Sequence, residues 1–130
     1  MNKTILVVDD EKEICTVLSD NLSREGYRVF VAYEGKAALE LVRKEKPDLV
    51  LLDIKMPRMN GIEVLRGIKT IKKETVVIMM TAYGTLETAR KAMKLGAYDY
   101  ITKPFDLFSL KSVVKEVLEQ PKGPARKGKE

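Results

Sequence analysis

Five polar residues lie just beyond runs of apolar residues, and together they could perform phosphoryl-transfer chemistry. Asp9 and Asp10 follow the first apolar run of the chain, and Asp53 follows the third. Thr81 follows the fourth run, and Lys103 follows the fifth. A carboxylate is an oxygen nucleophile, while a hydroxyl and an ammonium group donate to the oxygens of a transferring phosphoryl group. Each residue alone could instead be a helix cap or part of a turn. The phosphoryl-transfer hypothesis therefore requires that the five side chains lie close together in the folded protein.

Three converging carboxylates would repel one another unless a cation lay between them. Mg²⁺ binds few carboxylates together with water and phosphate oxygens, whereas Ca²⁺ takes more oxygen ligands. Zn²⁺ favours His and Cys, and the sequence has no histidine and one cysteine, Cys15. We therefore expect Asp9, Asp10 and Asp53 to bind Mg²⁺. We assign no function to Cys15, because its position suits a small packed side chain in a helix.

These residues need a framework that brings the ends of several strands to one edge. Five short apolar runs fit β-strands, and four of them are almost continuously apolar. This pattern is typical of strands covered by helices on both faces. The runs are Ile5–Val8, Val29–Ala32, Leu49–Leu52, Val76–Met80 and, less strongly, Tyr98–Ile101.

Segments with apolar residues at helical spacing follow each of these runs, and glycine or proline falls at most boundaries. The order of elements is therefore (βα)₅. Right-handed crossovers then predict an α/β fold with one doubly wound, parallel, five-stranded sheet in the order 2-1-3-4-5, which is a flavodoxin-like topology. Ligands of such sheets bind beyond the carboxyl ends of the strands, where the five polar residues fall.

Length and composition predict one domain. The chain has 130 residues, of which 45% are hydrophobic, enough for a single core. We assign residues 1–119 to this domain and residues 120–130 to a disordered basic tail. No run of 18 apolar residues and no signal-peptide pattern is present, which predicts a cytoplasmic protein without a membrane partner. We expect no direct binding of nucleic acid by the domain. The charged residues of the tail are Lys122, Arg126, Lys127, Lys129 and Glu130.

Four segments resemble, in order and spacing, the four signatures of the receiver domain of bacterial two-component response regulators. The resemblance covers about residues 3–119. It implies a phosphoacceptor signalling protein rather than a conventional enzyme, one that catalyses its own Mg²⁺-dependent phosphorylation and slow dephosphorylation. The segments are Val7–Glu11, Leu51–Gly61, Met80–Gly84 and Asp99–Phe105.

The resemblance assigns a role to each acidic residue. It implies that Asp53 is the phosphoacceptor, and that Asp10, Asp53 and the backbone carbonyl of Lys55 bind Mg²⁺ directly. Asp9 would act through a water molecule.

Lys55 and Tyr83 lie two residues beyond Asp53 and Thr81, respectively. We expect them to limit access of hydrolytic water and so to lengthen the lifetime of the phosphoaspartate. The rate of phosphoryl loss from a variant with a small residue at position 83 tests that idea.

The resemblance also predicts a conformational switch. Thr81 would hydrogen-bond a phosphoryl oxygen, and Lys103 would pair with the phosphoryl charge. Tyr100 would change rotamer as Thr81 moves, and the Lys103–Pro104 bond would be cis. The output surface would then lie on the fourth helix, the fifth strand and the fifth helix.

The resemblance implies that the phosphoryl group comes from a histidine of a partner, because this chain has no histidine. The expected partners are a sensor histidine kinase and, downstream, a histidine-containing phosphotransferase or another protein. Several stretches, including Lys46–Asp53, resemble single-domain relay proteins of the sporulation type. On that interpretation, Ile14, Leu18 and Phe105 would form the docking surface.

Two alternatives remain open at this point. Thr85–Ala89 and Ala92–Tyr100 resemble receivers attached to sigma-54-type activators, so the chain would be an excised N-terminal receiver domain of a transcriptional activator. Tyr100 also stands where we expect histidine in the sporulation-type relay proteins.

The aspartate-nucleophile phosphatases are a different class of protein. They need a general acid two residues after the nucleophile, but this chain has Lys55 at that position, so no residue is available to protonate the leaving group. A flavin-binding module is disfavoured because Asp9 and Asp10 would repel a phosphate group.

Overall fold

A computed structural model of the chain describes residues 2–81 and 86–119. The strands are β1 (Thr4–Val8), β2 (Arg28–Ala32), β3 (Leu49–Asp53), β4 (Val76–Thr81) and β5 (Asp99–Thr102). The helices are α1 (Lys12–Arg24), α2 (Gly35–Glu45), α3 (Gly61–Ile71), α4 (Leu86–Lys94) and α5 (Leu107–Glu119). The strands form one parallel sheet in the order β2-β1-β3-β4-β5, which confirms the predicted fold. The segment 120–130, predicted to be a tail, lies outside the described residues.

Alternate residues of each strand point to opposite faces of the sheet, and helices cover both faces. On one face, Ile5, Val7 and Leu51 pack with residues of α1 and α5, including Leu18 and Val114. On the other face, the intervening strand residues pack with α2, α3 and α4. The central strands are therefore apolar along most of their length, and their backbone is fixed from both sides. Within the described ranges, no helix is both long enough and apolar enough to cross a bilayer.

The strand register brings the ends of the central strands to one edge. Asp53 is the last residue of β3 and pairs with Met80 of β4. Thr81 ends β4 and pairs with Thr102 of β5. The backbone N–H of Lys103 then donates to the carbonyl of Thr81 at 2.7 Å, so Lys103 leaves β5 beside the end of β4. Parallel pairing alone thus gathers these residues at the carboxyl edge.

The loop between β3 and α3 closes tightly against the end of β3. The N–H of Gly61 donates to the carbonyl of Ile54 at 2.7 Å, and a Cβ at position 61 would collide with the backbone of Asp53 and Ile54. A capping box follows, in which Asn60 and Glu63 exchange two hydrogen bonds of 3.0 Å. Glycine at position 61 therefore allows the loop to pack directly against the backbone of Asp53 and Ile54.

Candidate functional site

Three aspartates converge at the carboxyl edge of the sheet. Asp9 and Asp10 follow β1, and Asp53 ends β3, which is the neighbour of β1 in the sheet. One carboxylate oxygen from each residue lies within 4.8 Å of the others. Asp9 and Asp53 are buried, whereas Asp10 is exposed. The arrangement is an acidic pocket with one open side, and its oxygen donors suit a hard divalent cation.

Lys103 brings a single ammonium group into this pocket. Its Nζ lies 2.7 Å from Oδ2 of Asp9 and 3.3 Å from Oδ1 of Asp53. It also lies 3.3 Å from Oε1 of Glu11. The Lys103–Pro104 peptide bond is cis, as the resemblance implied. When all three aspartates are ionised, one ammonium cannot neutralise them, so the pocket remains anionic and can accept a further cation.

Burial and mutual repulsion shift the titration of these groups. Burial, followed by the charge of Asp9, raises the pKa of Asp53 from 3.8 to about 6, although Lys103 opposes the shift. Burial likewise raises the pKa of Asp9 despite its hydrogen bond to Lys103. Burial alone would lower the pKa of Lys103, but its contacts with Asp9 and Asp53 raise it on balance. The ammonium is therefore charged, and the raised pKa values make Asp9 and Asp53 harder to ionise than in water.

Asp9 is held rigidly by its neighbours. Its N–H donates to the carbonyl of Ala32 at 3.1 Å, and its Oδ1 accepts from the N–H of Glu11 at 2.9 Å. The thiol of Cys15 lies 3.2 Å from the carbonyl of Asp9. Burial raises the pKa of Cys15 to about 11, so its reactive thiolate form is disfavoured. Cys15 is a packed core residue, in keeping with the assignment of no function.

The remaining candidate residues lie around the pocket. Thr81 is buried at the end of β4, and Tyr100 is half-buried on β5 beside Met79. Lys55 is exposed in the loop after β3. Tyr83 lies outside the described residues. The switch roles of Thr81 and Tyr100 and the lifetime roles of Lys55 and Tyr83 stay predictions.

The predicted docking surface requires one correction. Leu18 is fully buried in the core under α1, so its side chain does not reach the surface. Val17, one position earlier on the helix, is instead 45% exposed. It lines a groove of about 260 Å³ together with Glu13, Ile14 and Phe105. Ile14 and Phe105 are thus adjacent as expected, and Val17 replaces Leu18.

Glu11 is a contact of the site that the sequence reasoning missed. Its carboxylate lies 3.3 Å from the Lys103 ammonium, although the two residues are far apart in the chain. The one signal available was its position directly after Asp9 and Asp10. Its chain neighbours could not show which way its side chain points.

The chain is similar to known proteins over most of its length. The model of the response regulator receiver domain family matches residues 5–115. Sporulation initiation phosphotransferase F of Bacillus subtilis (strain 168) is 46% identical over 118 residues, which cover 91% of this chain and 95% of that protein.

Longer proteins and solved structures match as well. Regulatory protein AtoC of Escherichia coli (strain K12) is 43% identical over 88% of this chain, but the match spans only 25% of AtoC. The crystal structure of a CheY-like response regulator receiver domain protein from Methanospirillum hungatei JF-1 has a TM-score of 0.88 and 34% identity. That match covers 92% of this chain and 95% of the other.

The raised pKa of Asp53 predicts a pH-dependent stability in metal-free protein. The folded state holds the Asp53 proton more tightly than the unfolded state, so the associated stability is present below pH 3.8 and is lost as the pH rises through about 6. Relative to an Asp53→Asn variant, the wild type should lose about 2 kcal/mol of unfolding free energy between pH 4 and pH 7.5.

Urea unfolding in the presence of a chelator measures both proteins across this range. The variant supplies the control, because an asparagine at position 53 does not titrate while all other groups still do. A difference between the two proteins that does not change with pH, or one in which the wild type gains stability as the pH rises, would contradict the electrostatic description of the pocket.

Proposed function

The chain belongs to the response regulator receiver domain family, which serves phosphoacceptor signalling in two-component systems, and on that premise we propose that Asp53 is its phosphoacceptor. The donor is a phosphohistidine on a partner protein, since this chain has no histidine. The protein then transmits or relays the phosphoryl group rather than turning over a substrate, and it promotes its own phosphorylation and slow dephosphorylation.

One observation carries this proposal: a buried carboxylate at a strand end lies beside two further aspartates and an ammonium group. The Lys103 ammonium is 3.3 Å from Asp53, and the oxygens of Asp9, Asp10 and Asp53 lie within 4.8 Å of one another. A nucleophile, a cation-binding group and a fixed positive charge are the parts that phosphoryl transfer to a carboxylate requires.

The donor set fits Mg²⁺, which the family implies as the metal. Asp10 and Asp53 would offer carboxylate oxygens directly, and the carbonyl of Lys55, in the loop after Asp53, is the proposed third direct donor. Asp9 would act through a water molecule. A pocket that is open on the side of Asp10 leaves room for the water and phosphate oxygens that Mg²⁺ retains. When bound, the ion would neutralise charge on the phosphoryl oxygens.

In the proposed transfer, a carboxylate oxygen of Asp53 attacks the phosphorus of the partner's phosphohistidine. A new phosphorus–oxygen bond forms while the phosphorus–nitrogen bond breaks, and its electron pair remains on the imidazole. The pKa of about 6 leaves most Asp53 ionised and nucleophilic at neutral pH. Lys103 balances charge on the transferring group, and Thr81, at the end of β4, donates its hydroxyl hydrogen to a phosphoryl oxygen.

Phosphorylation would change the surface through Thr81 and Tyr100. The added group brings negative charge and acceptor oxygens to the pocket. Thr81 would move toward it, and Tyr100, half-buried on the adjacent strand β5, would change rotamer into the space released. The surface formed by α4, β5 and α5 would thereby report the state of Asp53.

We place the protein in a relay between a sensor histidine kinase and a histidine-containing phosphotransferase. The similarity to a sporulation phosphotransferase along 95% of that protein supports this role. The α1 groove formed by Glu13, Ile14, Val17 and Phe105 is the proposed docking site, since Phe105 directly follows the Lys103–Pro104 pair of the pocket. An apolar groove beside the pocket would hold a partner's histidine near Asp53.

Phosphorylation by a small donor tests the role of Asp53. With acetyl phosphate and MgCl₂, the wild type should gain one phosphoryl group in intact mass, and chelation should abolish the gain. Asp53→Asn should gain none, because the nucleophile is absent. Asp20→Asn, which removes an exposed carboxylate on α1, should behave like the wild type. Phosphorylation of Asp53→Asn to the wild-type extent would refute the assignment.

Substitution in the α1 groove tests docking. Ile14→Ala should slow transfer from an autophosphorylated sensor histidine kinase by at least about fivefold, the effect of losing one significant interface residue, while phosphorylation by acetyl phosphate stays unchanged. Phe108→Ala is the matched control, because Phe108 is exposed on α5 and does not line this groove. Equal kinase transfer in Ile14→Ala and wild type would place docking elsewhere.

A further inference from the structure

Glu11 shares the ammonium group of Lys103 with Asp9 and Asp53. Lys103 has three N–H donors, and three carboxylates surround it, those of Asp9, Glu11 and Asp53. Asp9 is the nearest at 2.7 Å, while Glu11 and Asp53 are both 3.3 Å away. The resting ammonium is therefore shared, and Asp53 does not hold it more closely than Glu11 does.

The side chain of Glu11 does not cap α1, although the backbone position of Glu11 is that of a capping residue. Glu11 is the N-cap residue of α1, yet its side chain makes no capping hydrogen bond. Residues with short polar side chains such as Asp, Ser or Asn are preferred at that position because they satisfy the free N–H groups of the first turn. The side chain of Glu11 is 62% exposed, and its carboxylate lies 3.3 Å from the Lys103 ammonium.

The backbone around Glu11 fixes this geometry. Its N–H donates to Oδ1 of Asp9 at 2.9 Å, so Glu11 is tied to the same carboxylate that binds Lys103 most closely. Lys103 itself is largely buried, with 13% of its side chain exposed. Asp9 therefore holds the ammonium from the core side, and Glu11 contacts it on the more exposed side.

We propose that Glu11 is a positioning residue that retains the Lys103 ammonium beside Asp9 and so slows acceptance of a phosphoryl group by Asp53. This inference rests on the proposed function. Three carboxylates already surround the three N–H groups of Lys103, so pairing with a phosphoryl oxygen requires one contact to be released. The contact with Glu11 is the most exposed of the three, and it is the one released in this proposal. A half-exposed ion pair of this kind has a small energy, so its loss should change the phosphorylation rate about two- to fivefold.

Two substitutions at position 11 separate the contact from the charge. Glu11→Gln keeps the length of the side chain and removes its charge. Glu11→Asp keeps the charge but shortens the side chain, and aspartate at an N-cap favours the backbone N–H groups of the helix. Asp20→Asn is the control, because Asp20 is also acidic and exposed on α1, and its substitution changes only the overall charge of the protein.

The first measurement is the rate at which each protein gains a phosphoryl group from acetyl phosphate with MgCl₂, followed by intact mass. In this reaction the bond from phosphorus to the acetyl oxygen breaks, acetate leaves with the electron pair, and the new bond forms to Asp53. Glu11→Gln and Glu11→Asp should both react about two- to fivefold faster than the wild type, and Asp20→Asn should match the wild type.

The second measurement follows the Lys103 ammonium by ¹⁵N NMR in metal-free protein, with the signal assigned by its loss in Lys103→Arg. Both substitutions at position 11 should shift this signal, and Asp20→Asn should not. A change confined to overall stability would leave the ammonium signal in place, so this readout distinguishes positioning from a structural role.

The outcomes separate the two proposals. A wild type that gains no phosphoryl group overturns the proposed function, and this inference with it. A reactive wild type with an unchanged rate or an unchanged Lys103 signal in Glu11→Gln overturns the inference alone. A faster Glu11→Gln together with a Glu11→Asp at the wild-type rate also overturns it, because the effect would then arise from charge and not from the contact.

Discussion

Repulsion among the carboxylates of Asp9, Asp10 and Asp53 is the interaction on which the behaviour of the site depends. Their oxygens lie within 4.8 Å of one another, and strands packed on both faces prevent the backbone from moving Asp9 and Asp53 apart. Lys103 offsets part of the charge, yet the pKa of Asp53 is still raised to about 6. A cation bound in the pocket would therefore stabilise it, and on the proposed function its charge balance would change again when a phosphoryl group is added. Cation binding and signalling would then have the same electrostatic origin.

The strand order and the position of the acidic residues could be predicted, because both follow from the local pattern of apolar and polar residues in the sequence. Continuous apolar runs separated by amphipathic segments identify a parallel sheet covered on both faces, and right-handed crossovers then restrict the strand order. Once the order is known, residues at strand ends must share one edge, as Asp53 and Thr81 do. The convergence of the acidic residues is therefore a consequence of topology, and it needs no knowledge of side-chain conformations.

Side-chain direction and the exact helical face could not be obtained in the same way. Val17 and Leu18 are adjacent apolar residues on α1, and only packing against the sheet determines that Leu18 is buried and Val17 exposed. Glu11 has the sequence position of a helix cap, but its carboxylate contacts Lys103, which is distant in the chain. Both features depend on tertiary contacts that local periodicity does not encode. Tyr83 lies outside the described residues, so its role depends on sequence position alone.

The central claim, that Asp53 carries the phosphoryl group as an acyl phosphate, is tested most directly by reductive trapping. Borohydride reduces an acyl phosphate on aspartate to the alcohol of homoserine, and peptide mass mapping then identifies the modified position. After reaction with a phosphodonor and Mg²⁺, the account predicts homoserine at position 53, with Asp9 and Asp10 unchanged. Homoserine at another aspartate, or phosphorylated protein with no reducible acyl phosphate, would contradict the account.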